Sequence, residues 1–218
     1  DGYFSGTARF NSTDIYPIVV SRNRNAFGVL NTVFADGDTV RITGQIPNLT
    51  ETAEISSEEN DVLEIFERVE RNFRRVAQNI NAGAVSSDSV ETELLKWSDI
   101  YWDLHEEHNG TYASRLSGES SVSLLRGIND SLMLARAEVL LEEQNTLLSG
   151  TRENLINYYA ENEGLEGAMT FLNRLENRAP TADDALNLEI TRIELLYDSS
   201  RVSEAGEYLE QFKRRYSE

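Results

Sequence analysis

The chain has 218 residues, 39% of them hydrophobic, which is enough for one or two domains with a real core. It contains no cysteine, so disulfides, thiolate metal sites and thiol nucleophiles are excluded together. Its formal net charge of −18 repels phosphate backbones and anionic membrane surfaces, so nucleic acid is not an expected partner.

Of the 20 basic residues only Lys96 and Lys213 are lysines; the rest are arginines. An acid-rich, lysine-poor surface suits a protein that stays soluble in high salt, and a GC-rich genome favouring Arg codons gives the same bias. No apolar run approaches the ~20 residues that span a bilayer. Asp1-Gly2-Tyr3-Phe4 offers neither a basic segment nor an apolar one, so no signal peptide is read there, and a start on Asp suggests a processed or trimmed chain.

Residues 1–50 read as a partial β module. Strand formers fill 3–10, 14–20, 27–34 and 39–46, and turn formers separate them. Asp36-Gly37 supplies the positive φ of a tight hairpin turn. Asp36-Gly37-Asp38-Thr39 also has the look of a calcium loop, but its twelfth position falls on Pro47, which is no ligand. Four short strands make a thin sheet with little core of its own, and further strands are expected upstream of residue 1.

After an acidic linker at 51–60 the apolar period changes from 2 to 3.6, and 58–218 reads as a helical domain. Val62, Ile65, Phe66, Val69, Phe73, Val76 and Ile80 form one stripe, ended by Asn81-Ala82-Gly83. A second helix, capped by Ser87 or Ser89, carries Val90, Leu94, Trp97, Tyr101 and Leu104 as far as about His108. A short helix comes near 118–127. The next, near 130–148, is apolar over much of its circumference and is expected to be the central, most buried one. Helices at 151–161, 164–178, 182–198 and 201–216 complete the chain. The fold class is therefore α+β and mostly α, a small antiparallel β module followed by an antiparallel helical array.

A shift of 37 places Leu165 on Val202, Ala168 on Ala205, Phe171 on Tyr208, Leu172 on Leu209 and Leu175 on Phe212. Each unit is helix, short turn, helix, with a small residue where two helices come close. Residues 151–218 thus resemble the tetratricopeptide family, without its Trp or full consensus, and two units must pack on the preceding helices.

No P-loop, nucleophile elbow, Ser–His–Asp order or dinucleotide glycine motif appears, so neither catalytic residues nor a cofactor are expected. His105 and His108, with Asp103 and Glu106 nearby, share a helix face but lack the zinc-protease spacing; a solvated helix end explains them without a metal. Trp102 lies off the apolar stripe of its helix and is a candidate anchor for a partner. Tyr158, Tyr159, Glu189 and Arg192 are the other candidate partner-binding residues, on the concave face of the repeats.

Asp1, Gly2, Phe4 and Gly6, then Tyr16-Pro17, then Gly37-Asp38-Thr39 with Val40, Ile42 and Gly44 carry a second resemblance. This segment looks like the tail of the N-terminal β domain of envelope thioredoxin-like proteins of Bacteroidetes-type bacteria. In that family a helical linker comes next, then a thioredoxin domain with a Cys-x-x-Cys pair. The resemblance implies a location in the cell envelope or periplasm. It also implies that any thiol–disulfide chemistry belongs to a downstream domain and that this chain positions or docks it. The alternative is a free-standing helical scaffold that binds a peptide or a partner protein. Both are non-catalytic.

Overall fold

The computed structural model describes residues 5–10, 12–22 and 25–216. The fold is α+β and mostly α, with two two-stranded antiparallel sheets and eight helices among the described residues. The chain divides into two compact units, Asp1–Ser121 and Val122–Glu218, and the division falls inside a helix rather than at the change from strands to helices.

In the first unit β1 (Asp14–Arg22) and β2 (Asn25–Phe34) form a hairpin with Ile15 opposite Val33 and Ile18 opposite Leu30. The predicted strand at 3–10 lies partly outside the described residues, and its described part, 5–10, forms no strand. Aromatic contact holds that part instead. The Phe10 ring stacks 4.5 Å from Phe34 and lies 4.3 Å from Tyr16.

The predicted strand at 39–46 is mostly irregular. Only β3 (Arg41–Thr43) is extended, and it pairs with β4 (Glu54–Ser56), which lies in the expected linker. Asp36 and Gly37 do make a turn, with Gly37 at φ 77°, yet the turn does not join paired strands. The short helix α1 (Leu49–Thr52) lies between β3 and β4, and Thr52 Oγ1 accepts from the Gln45 N–H at 2.8 Å, closing the excursion.

The helix α2 (Glu58–Asn81) starts at Ser57, whose hydroxyl accepts from the Asn60 N–H. Its first turns complete the core under the hairpin, where Val33, Val62, Leu63 and Ala113 are buried together and Ile15, Phe66 and Leu116 pack against them. Asn60 supplies the lock. Its Oδ1 accepts from Val33 N–H at 2.9 Å and its Nδ2 donates to Val33 O at 2.8 Å, so one amide satisfies both polar groups of a buried strand residue.

Two further helices finish this unit. α3 (Ser87–Glu107) lies antiparallel to α2, with Phe73 between Trp97 and Tyr101. α4 (Tyr112–Leu125) lies antiparallel to α3 through small polar side chains. The Ser98 hydroxyl donates to Ser121 O, Ser117 donates to Tyr101 O, and His105 Nδ1 donates to Ser114 O. The short side chains let the two backbones come close, and each hydroxyl meets a carbonyl, so burying them costs little.

The second unit contains α5 (Asp130–Gln144), α6 (Ser149–Glu176), α7 (Ala182–Asp198) and α8 (Val202–Tyr216). α5 is not the most buried helix. It hides one stripe, Met133, Arg136, Ala137, Leu140 and Leu141, and leaves Ala135 and Val139 exposed; the serine-rich α4 is buried over more of its surface. Composition misleads here because small residues bury as completely as large ones when helices approach closely.

α6 is two helices joined at Gly164, whose φ of 71° and ψ of −171° are not helical. Tyr159 and Phe171 have ring centroids 4.9 Å apart, whereas twelve residues of straight helix would separate them by about 18 Å. The chain therefore doubles back at Gly164. Gly167 permits the close approach just past the bend, since a Cβ there would run into the Glu163 side chain.

Candidate interaction surface

Each half of the sequence repeat is a helical hairpin. The first is α6, bent at Gly164 into halves 149–163 and 165–176; the second is α7 and α8, joined by Ser199–Arg201. Ala168 and Ala205 correspond, and both are buried, at 0% and 4% exposure. These are the small residues at the helix crossings.

The larger positions differ between the copies. Phe171 and Leu172 are 3% and 0% exposed, whereas their counterparts Tyr208 and Leu209 are 42% and 38% exposed. Val202 and Tyr216, one heptad to either side of Leu209, are exposed as well. Phe171 packs on Tyr159 within its own hairpin, 4.9 Å between ring centroids, whereas the Tyr208 ring lies over the Arg192 guanidinium of α7. α7 packs against the second half of α6, and among the described residues no helix covers α8 in the same way.

Arg192 joins the three helices. It is buried, its Nε donates to Glu176 and its Nη2 to Asn173 at 2.6 Å, and Nη1 approaches the Met169 sulfur at 3.8 Å. Its guanidinium lies 5.6 Å from the centre of the Tyr208 ring on α8. Glu189, one turn before it, pairs with Arg215 of α8. A shallow groove of about 180 Å³ forms here, lined by Glu176, Glu189, Arg192, Tyr208, Phe212 and Arg215 among others.

The structure therefore brings Glu189 and Arg192 together. Tyr158 and Tyr159 lie on the first half of α6, edge to face at 5.6 Å, and Tyr159 packs on Phe171. Burial raises the pKa of the Tyr159 phenol. Trp102 belongs to the other unit, where it is half-buried, donates to Glu106 on its own helix and leans on the His105 ring.

Asn173, Glu176, Tyr208 and Leu209 are not singled out by sequence reasoning as surface residues. The repeat is the signal that points to them, because any side chain of α6 that grips α7 has a counterpart on α8. His105 is buried against the Ser114 carbonyl, while His108 ends α3 through its backbone. A second, open recess of about 390 Å³ in the first unit is acid-lined by Asp36, Asp38, Glu58 and Glu59, and Glu59 accepts from the Tyr112 N–H at 2.8 Å. Among the described residues no group of three or more His, Asp or Glu side chains is arranged to hold a metal.

No protein-family model matches the chain, and neither does any curated protein or solved structure. Among the described residues no helix is long and apolar enough to cross a membrane. Tyr197, Val202, Tyr208, Leu209 and Tyr216 are large apolar or aromatic side chains left exposed at the end of α7 and along α8. On an acid-rich chain such a concentration is the kind of surface that protein partners cover.

Proposed function

We propose that this chain is a non-catalytic interaction region that binds a protein partner through its helical hairpins. The observation that carries the reading is the unequal burial of Phe171 and Leu172 against Tyr208 and Leu209. A helical hairpin that leaves an apolar stripe exposed offers it to another helix or protein to cover. The net charge of −18 favours a basic partner and disfavours nucleic acid.

The resemblance of residues 1–44 to envelope thioredoxin-like proteins supports a more specific form of this reading. In it the partner is a thioredoxin-like redox domain, and the site of action is the cell envelope or periplasm. Sequencing the parent gene on both sides of the segment tests that form. A Cys-x-x-Cys domain downstream is expected, and a stop codon soon after Glu218 removes it.

The general reading is tested with a photo-crosslinking amino acid placed at Tyr208 or Tyr216 in the source cells. A discrete adduct that disappears in Leu209→Glu is expected. Adducts no stronger than those from exposed Glu67 on α2 would sink the proposal.

A further inference from the structure

The repeat says what the open face of α8 accepts, and the inference rests on the interaction reading above. The shift of 37 that aligns the apolar stripes also aligns the side chains that grip Arg192. Met169, Asn173 and Glu176 correspond to Gly206, Glu210 and Lys213. On α8 the carboxylate of Glu210 is paired with Lys213 of its own helix, at 3.0 Å in the open. Beside it Val202, Leu209 and Tyr216 are exposed one heptad apart, while Ala205 of the same stripe is already buried.

Gly206 adds an independent mark. A Cβ built there meets nothing within 4 Å, and its backbone is helical, so the described fold does not require a glycine at this position. A glycine inside a helix is less favourable than an alanine there. Missing side-chain volume at the position where Met169 meets α7 leaves room for an incoming side chain.

We infer that α8 docks an amphipathic helix in the way the second half of α6 docks α7, with a cationic side chain of that helix crossing Gly206 to reach Glu210. The occupant is a net-basic helix with an apolar stripe and an arginine or lysine at the position of Arg192. It lies against Val202 and Leu209, and its cation displaces Lys213 from Glu210. Lys213 holds the Glu210 carboxyl below its usual range, and once Lys213 is displaced an exposed carboxylate is still ionised at neutral pH. Lys213 itself returns to solvent at little cost, because exposed ion pairs contribute little.

The probe is a fluorescent synthetic peptide of residues 181–200, in which the exposed Asp183, Glu194 and Asp198 are replaced by lysine. It is titrated against the full chain by anisotropy. Saturable binding is expected, weakened about tenfold by Leu209→Glu in a chain whose circular dichroism is unchanged. Glu210→Gln should weaken this peptide several-fold and leave a version with norleucine at position 192 unaffected. The inference is overturned by no saturation up to roughly 200 µM, by binding indifferent to Leu209→Glu, or by equal effects of Glu210→Gln on both peptides. Sedimentation showing a dimer that Leu209→Glu makes monomeric also overturns it, by assigning the face to a second copy. If the peptide fails while Tyr208 or Tyr216 still crosslinks a partner, the interaction reading stands and helix docking falls.

Discussion

Asn60 holds the first unit together by pairing with the backbone rather than by filling space. It gives Val33 the hydrogen bonds that a third strand would otherwise give, in a buried place where water is absent. Asn60→Ala strands a buried N–H and a buried C=O at once, and each orphan costs about 1–3 kcal/mol. A loss of roughly 2–4 kcal/mol in urea unfolding is expected. A loss under about 0.5 kcal/mol would mean that solvent reaches Val33. Tyr101 is the other telling side chain, buried and donating to Glu70 at 2.6 Å. Burial, then that hydrogen bond, pushes its phenol far above the ordinary value of 10.0. The folded protein therefore keeps a proton that the unfolded chain loses above pH about 10, and stability falls as pH rises beyond that point. Below it the contribution is fully present. Tyr101→Phe should lose about 1 kcal/mol at pH 7 and show a shallower decline in alkali. Some slope remains, because Tyr112 and Tyr159 are also raised by burial.

Two glycines of the second unit, Gly164 and Gly206, make opposite predictions at the level of the element. Gly164 sits at φ 71°, ψ −171°, a region essentially closed to other residues, and the hairpin of α6 depends on it. Gly164→Ala should destabilise by about 1–3 kcal/mol, seen as a lower thermal midpoint. Gly206 is helical with open space around it, so Gly206→Ala should stabilise by roughly 0.5–1 kcal/mol. A destabilising Gly206→Ala would mean that the glycine serves the fold itself. The helical elements are legible in the sequence because their signals are local. The 3.6-residue stripe of α2, the glycine at 164 and the turn before α8 each act within a few residues. The β module is harder to read. β3 pairs with β4 across the excursion through Ile46-Pro47 and α1, and nothing in residues 39–46 announces a partner at 54–56. The burial of α4 is hidden for a related reason, because serines become core residues only where a neighbouring carbonyl receives each hydroxyl. Of the candidate surface residues, Glu189 and Arg192 meet in one groove because both lie on α7 one turn apart; Trp102 belongs to another unit, a separation that spacing cannot express.

For the whole molecule, the β module depends on the helices after it. Val33 of β2 is buried with Val62 and Leu63 of α2 and Ala113 of α4, and Asn60 of α2 satisfies its backbone. A fragment of residues 1–57 lacks these groups and should give an unfolded spectrum by circular dichroism and amide proton dispersion. Charge makes the remaining prediction. The ion pairs Glu67–Arg71, Glu70–Arg74 and Glu93–Lys96 bridge single turns of exposed helix, where each contributes only about 0.3–0.5 kcal/mol, and salt weakens them further. Against them stands a surplus of eighteen negative charges on one chain, whose mutual repulsion opposes compaction. Potassium chloride screens both, shortening the Debye length to about 3 Å at 1 M. Because the unpaired acids outweigh the exposed pairs, the net effect of screening is stabilising, and the thermal midpoint should rise steadily from low salt to about 1 M KCl. A midpoint that falls instead would show that the arginine–carboxylate pairs, such as the partly buried Arg192–Glu176, contribute more than the repulsion removes.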